Sequence, residues 1–301
     1  MAPHPNRVLL STAFVALAAF FWGLSGGIGG MLTDQGWSPV VVSFYRGAIG
    51  LVFVLIWLAL RPGGSGLSKS RLWFWSAVAG VGVAGNFGFY FLSIAEGSVA
   101  VAATLMYCAP VFVYLVSFIL RLEQPTPFKW LSMVLVMLGI VLLTGIYDMD
   151  ASEVTLLAAG AGLLSGLSYA LFIFGFKYAA PHGSPQEILL VAFAVLALIL
   201  GVLGDTGQLV AAFTTQSWPL FLILGVLGAG LSFILYIVGL NHTAPAVASI
   251  VAMIEPVTAS MFGVAILGER LAVSQVVGIA LILITVTALS FYSNSRRHPT
   301  E

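Results

Sequence analysis

The sequence predicts an all-α integral membrane fold of ten transmembrane helices, arranged as two inverted five-helix repeats, and three observations lead there. Only 7% of the 301 residues are charged and 60% are hydrophobic, with a mean hydropathy of +1.09, whereas a soluble domain carries about 25% charged residues to solvate its surface. Apolar runs long enough to cross a hydrocarbon core of roughly 30 Å recur along the whole chain. The chain also repeats itself at an offset of 146 residues: AVAATLMYCAPVFVYLVSFILRLEQ, from Ala100, lies in gap-free register with AVASIVAMIEPVTASMFGVAILGER, from Ala246.

Cutting the sequence where polar, glycine or proline clusters interrupt the apolar runs yields spans at 9–31, 40–60, 72–95, 98–120, 128–147, 155–178, 187–204, 218–240, 244–267 and 272–292. Helices are required, because the runs are continuously apolar and lack the alternation of a membrane barrel strand. The first run is longer than a signal peptide core and has no small-residue cleavage motif after it, so it is expected to be retained. Basic loops resist translocation. Placing both termini in the cytoplasm puts Arg7, Arg61, Lys69, Arg71, Arg121, Lys129, Lys177, Arg296 and Arg297 on that side, against Arg270 outside. The acidic loop from Tyr147 to Glu153 then joins the halves on the outer face.

The register extends beyond the opening match. Ser38-Pro39 corresponds to Ser184-Pro185, Asn86 to Ser232 and Tyr90 to Tyr236; nearer the start it slips by three residues, so that Trp22-Gly23 matches Ser165-Gly166. The expected division is 1–150 for the first repeat and 151–301 for the second. Five spans per repeat is an odd number, so the second copy enters the membrane from the opposite side. Inverted repeats of this kind let a bundle exchange inward-open and outward-open states, as many secondary transporters do.

Within this frame a few residues carry chemistry. Pro110 and Pro256 occupy matching depths, and each frees a carbonyl one turn earlier, that of Met106 and of Ala252, so both helices are expected to kink or unwind there. Glu255 is a carboxylate well inside an apolar span, where an ionised acid costs about 2.5–3.5 kcal/mol. Two roles are open to it: a proton-coupling or substrate-ammonium site, or a protonated acid donating to the carbonyl freed by Pro256. Its counterpart is Ala109. Arg46, some six residues inside the second span, is expected to snorkel outward, with an anionic group in a cavity as its alternative partner. Trp22, Asn86, Tyr90, Tyr107, Tyr169, Ser232 and Tyr236 recur at helical spacing and are expected to wall a central cavity, since their polar atoms would lack partners in lipid. Gly23-xxx-Gly27, Gly26-xxx-Gly30 and Gly162-xxx-Gly166 are expected to pack helices closely.

Other classes find no support in the residues. Net charge is zero, with 11 basic and 11 acidic residues, which argues against nucleic-acid binding. The one cysteine, Cys108, cannot form an internal disulfide and reads as a packing residue. His4, His182, His242 and His298 lie at termini or span ends without a ligand cluster, with His242 interfacial, and no phosphate-binding G-x-x-x-x-G-K-[ST] occurs. No metal, cofactor or enzymatic activity is expected.

Ten spans, the five-plus-five repeat, Met253-x-Glu255-Pro256 and the Gly268-Glu269-Arg270 turn together resemble the EamA family of the drug/metabolite transporter superfamily, over essentially the whole chain. The first half keeps the pattern more loosely, with Tyr107-Cys108-Ala109-Pro110 and Leu122-Glu123-Gln124 in those places. Within the family the chain is most similar to bacterial inner-membrane exporters of aromatic amino acids and related metabolites. The resemblance implies a central cavity lined by the first, third, fourth, sixth, eighth and ninth spans, with the fifth and tenth outside. It implies efflux of a small-molecule substrate, an aromatic or other neutral amino acid, across the lipid bilayer; a single chain is compatible with that role. A carrier of drugs, nucleobases or sugar derivatives, and a sensor or accessory subunit without flux, stay open on the sequence.

Overall fold

Ten helices long and apolar enough to cross a membrane run through the computed structural model, which describes residues 5–61, 64–148 and 154–295: Leu9–Asp34, Pro39–Leu60, Ser70–Ala95, Val99–Ile119, Pro127–Thr144, Leu156–His182, Pro185–Leu203, Trp218–Leu240, Pro245–Leu267 and Val273–Ser293. They are numbered first to tenth below. His4, Arg296, Arg297, His298 and residues 149–153 of the acidic loop lie outside the described residues. Proline opens several spans, as Pro39, Pro127, Pro185, Pro219 and Pro245 do, because a first-turn N–H has no intrahelical acceptor to lose. Gly145 and Gly268 end the fifth and ninth spans with φ of +67° and +72°, a left-handed cap that costs glycine little.

The neighbours of each helix obey the pseudo-two-fold axis. The third span packs on the sixth and, equivalently, the eighth on the first; the fourth packs on the sixth and the ninth on the first. The second pairs with the seventh and the fifth with the tenth, each span meeting its own symmetry mate. The bundle thus has a first face, where the odd-numbered spans begin, and a second face, where the even-numbered ones begin. A short helix, Thr206–Ala211, with Asp205 accepting from the Gln208 N–H at 2.7 Å, lies on the second face between the seventh and eighth spans.

Both proline-bearing helices break, as their register predicts. The fourth span divides into Val99–Met106 and Ala109–Ile119, the ninth into Pro245–Val251 and Ile254–Phe262. Each break lies against a glycine from the opening helix of the other half. A β-carbon on Gly166 would come within 2.8 Å of the Leu105 carbonyl oxygen and 3.0 Å of that of Met106, and one on Gly23 would collide with the Glu255 carbonyl oxygen. Gly27 and Gly162 also pack closely, but Gly26 and Gly30 do not: nothing lies within 4 Å of the space a β-carbon would fill. Their side of the first span faces an open cavity, which overturns the packing role expected for that pair.

Two further irregularities carry no clear signal in the hydrophobic pattern. The eighth span is π-helical over Val226–Leu231 and the ninth over Gly263–Leu267. Gly225, Gly228 and Gly230 weaken the α-helix in the eighth span, and such bulges are frequent at functional sites.

Alanine at Gly23 or Gly166 overpacks these crossings, so each variant is expected to lose about 1–3 kcal/mol of stability. Gly160→Ala, with nothing within 4 Å, is expected to stay within about 0.5 kcal/mol of the parent. Thermal unfolding of the three purified variants in one detergent checks this ordering.

Candidate functional site

A cavity of about 360 Å³ lies between the two halves, lined by the first to fourth spans, the ninth and Leu224 of the eighth. Its mouth is on the second face, at Thr33, Pro39, Ile94 and Val99. Trp22, Asn86, Tyr90 and Tyr107 are on its wall, where their helical spacing puts them, and Glu255 is there with them. The lining departs from the expected set of helices in one respect. The second span enters it through Pro39, Val42, Ser43 and Arg46, whereas the sixth supplies no lining residue. The fifth and tenth spans contribute none either.

Arg46 does not snorkel. Its Nε donates to the Gly228 carbonyl at 2.9 Å, inside the π-helical turn of the eighth span, and its Cζ lies 5.1 Å from the Phe87 ring centroid. That carbonyl and the π-face together hold a guanidinium inside the bundle more cheaply than lipid would. Nη1 and Nη2 have no protein partner among the described residues.

Glu255 shares the cavity with Arg46, yet no ion pair joins them among the described residues. The Glu255 Oε2 accepts a long 3.3 Å hydrogen bond from the Tyr169 hydroxyl, placed just behind the wall. The carbonyl freed by Pro256 is not the acid's partner: the tight turn at the break brings the Glu255 backbone N–H onto Ala252 O at 2.9 Å. This leaves the carboxyl side chain available to the cavity. The break of the fourth span is filled differently, with the Cys108 thiol donating to Thr104 O at 3.3 Å.

Ser232 and Tyr236 are not on the wall. Both are 0% exposed. Tyr236 belongs to an aromatic floor under Trp22, with ring centroids 4.9 Å apart, joined by Phe233 at 5.0 Å and Phe172 at 6.0 Å. The reason lies in the symmetry: Ser232 and Tyr236 are the mates of Asn86 and Tyr90. The half of the cavity towards the second face is open and exposes one pair; its mate towards the first face is collapsed and buries the other. The floor leaves Trp22 Nε1, Ser232 Oγ and Tyr236 Oη without a hydrogen-bond partner among the described residues. Tyr169, 2% exposed, joins the floor to the acid. Asn86 has a second task, donating to the Ser165 carbonyl at 3.2 Å and hydroxyl at 3.1 Å while Ser165 donates back to Asn86 O at 2.8 Å. Among the described residues no group of three His, Cys, Asp or Glu side chains is gathered that could hold a metal.

The model of the EamA-like transporter family matches this chain twice, over residues 9–145 and 156–291. The chain belongs to that family. It is a multi-pass membrane protein and a transporter of the drug/metabolite type. A Bacillus subtilis (strain 168) protein named uncharacterized transporter YwfM is 25% identical over 92% of each chain. An Archaeoglobus fulgidus transporter is 32% identical over 64% of this chain and 68% of its own. The threonine/homoserine exporter RhtA of Escherichia coli (strain K12) is 26% identical over 68% of this chain and 66% of its own. Among solved structures, one titled "Crystal structure of protein" superposes with a TM-score of 0.75 at 18% identity, covering 96% of this chain and 99% of that one, which supports the fold.

Arg46 takes the alternative left open for it, a place in the cavity, and a signal favouring that place existed. Its mate 146 residues on is Ala192, as the mate of Glu255 is Ala109. Both ionisable groups in the cavity are therefore places where one repeat has a charge and the other an alanine.

Asn86→Ala removes both side-chain donations to Ser165 while the Ser165 hydroxyl keeps its bond to the backbone carbonyl of residue 86; it is expected to cost about 1 kcal/mol, the usual worth of an interhelical polar contact in a bilayer. Tyr90→Phe, which removes a hydroxyl without a hydrogen-bond partner among the described residues, is expected to leave stability within about 0.5 kcal/mol. The two unfolding midpoints, measured side by side, decide whether Asn86 holds helices together as well as lining the cavity.

Proposed function

We propose that this chain is a secondary transporter that exports neutral amino acids, aromatic ones among them, by alternating access and without catalytic turnover. The observation that carries the reading is the pairing of one guanidinium and one carboxyl group, Arg46 and Glu255, in a single cavity with aromatic walls. An amino acid is a zwitterion of matching polarity. The free Nη atoms of Arg46 suit a carboxylate, which a guanidinium grips with two parallel hydrogen bonds, and Glu255 suits the ammonium. Trp22, Tyr90, Tyr107 and Phe87 surround these two charges with apolar and aromatic surface for the substrate's side chain. A cavity of about 360 Å³ falls in the range of small-molecule sites, roughly 300–1,000 Å³. The RhtA relatives are named threonine/homoserine exporters, which supports a neutral amino acid in particular.

Alternating access is supported by the unequal state of the two half-cavities, one open and the other packed shut by the aromatic floor. The basic residues Arg61, Lys69, Arg71, Arg121, Lys129 and Lys177 belong to the first face, which supports a cytoplasmic side for that face and both termini in a bacterial inner membrane. The cavity mouth then faces outward. Glu255 is the candidate for linking substrate movement to a proton gradient.

Proteoliposomes holding the purified chain are expected to show saturable uptake of L-threonine, L-homoserine or L-phenylalanine above empty vesicles. Arg46→Gln, which cannot make the bidentate pair, is expected to weaken uptake at low substrate by about tenfold or more. Glu255→Gln is expected to abolish the response to an imposed proton gradient. No saturable uptake of any amino acid would sink the substrate reading, and an unchanged gradient response in Glu255→Gln would remove that residue from coupling.

A further inference from the structure

The loop after the fourth span reaches across to the other half of the molecule. Glu123, with a side chain only 6% exposed, is paired with Lys129 Nζ at 2.7 Å through Oε2, and its Oε1 accepts the backbone N–H of Ala246 at 3.0 Å. Ala246 is in the first turn of the ninth span. Glu123 therefore fastens the end of one broken helix to the start of the other, on the first face, where the cavity is shut. The turn that presents it contains Arg121 at φ +53°, a left-handed conformation in which a side chain is strained.

The 146-residue register assigns this contact a mirror image. Glu123 maps onto Glu269 and Ala246 onto Ala100, the latter in the first turn of the fourth span on the second face. That mirror contact is unmade. Glu269 is exposed, and its carboxylate has no ion pair or hydrogen bond among the described residues. Val99, next to Ala100, is 59% exposed at the cavity mouth, while its mate Pro245 is buried. One face has its carboxylate engaged and its helix start buried; the other has both free.

We propose that Glu123 and Glu269 are alternating gate latches: Glu123 on Ala246 holds the first face closed, and Glu269 on Ala100 holds the second face closed in the opposite state. The exchange follows from the inverted repeat, in which a contact between residues i and j in one state becomes one between their mates in the other. It is distinct from the substrate site and rests on the alternating-access reading. The latch residues act by positioning the two broken helices and touch no substrate.

The test uses the full chain in lipid nanodiscs, where both faces are open to the same maleimide, with Cys108→Ser as background and single reporters Val99→Cys and Pro245→Cys. Glu123→Ala is expected to slow labelling of the Val99 reporter and speed that of the Pro245 reporter, changing their ratio by about tenfold, the effect of losing one charge-assisted hydrogen bond. Glu269→Ala is expected to move the ratio the other way, and Glu123→Gln, which keeps an acceptor for the Ala246 N–H, to shift it less than Glu123→Ala. A contact that served only to stabilise the fold would not move the two reporters in opposite directions. Glu269, being exposed, keeps the test informative even where Glu123→Ala lowers yield, and size-exclusion profiles identify any misfolded variant. If both reporters respond in the same direction, the two faces open together and alternating access falls with the latch. If either Glu→Ala change leaves a well-folded protein's ratio unchanged, or shifts it with the opposite sign, the latch alone is overturned.

Discussion

The arrangement depends on one crossing, made twice: a glycine from the opening helix of each half laid against the broken helix of the other. Gly23 meets the ninth span at Glu255, and Gly166 meets the fourth at Leu105 and Met106. Without a β-carbon, backbone approaches backbone, and the van der Waals contact that replaces the hydrophobic effect between helices in lipid is gained over a short, tight patch. The broken helices need that closeness, because a proline leaves a carbonyl without its usual donor and a buried orphan acceptor costs about 1–3 kcal/mol. Glu255 N–H relieves one such carbonyl at Ala252. Crossing and break thus support each other, and each half is held together largely through the other.

From that constraint the site follows. Because the two crossings are equivalent, two half-cavities exist, and in this structure the one towards the second face is open. The other is filled by rings: Trp22, Phe172, Phe233 and Tyr236 pack with centroids 4.9–6.2 Å apart. These contacts are broad and weakly directional, so the floor can part without a covalent or ionic obstacle. Its unpartnered indole and hydroxyl groups hold it less firmly than a wholly apolar core would be held.

Much of this was legible in the amino-acid order. Span number and helix breaks came from hydropathy and from prolines repeated 146 residues apart, signals that depend only on local chemistry and spacing. Trp22, Asn86, Tyr90 and Tyr107 lie on the cavity wall, as helical periodicity expects, and Glu255 stood out as a carboxylate inside an apolar span. Ser232, Tyr236 and Tyr169 were expected there on the same grounds and lie off it, since periodicity reports a face and not which of two symmetric half-cavities is packed shut. For Arg46 the cavity was only the second reading, because a snorkelling arginine and an inward one look alike until the acceptor is known; that acceptor, the Gly228 carbonyl, is 182 positions distant. Gly26 and Gly30 failed for a related reason, as spacing shows that two helices can approach but not that they do.

The two broken helices also differ in how their first turns are closed. Ser98 caps the fourth span with its own hydroxyl, accepting the Val101 N–H at 3.3 Å, whereas Ala244 at the equivalent place in the ninth span has no side chain able to do so. One end is self-sufficient when its face gapes; the other is left to borrow an acceptor or turn to water. Under the alternating access proposed above, this difference favours the empty carrier with its doorway on the side of Ser98. Such a bias cannot drive net movement, which the gradients alone decide. Under the same proposal it would govern which compartment's solutes the vacant site samples first, and so make a nearly symmetric scaffold kinetically one-sided.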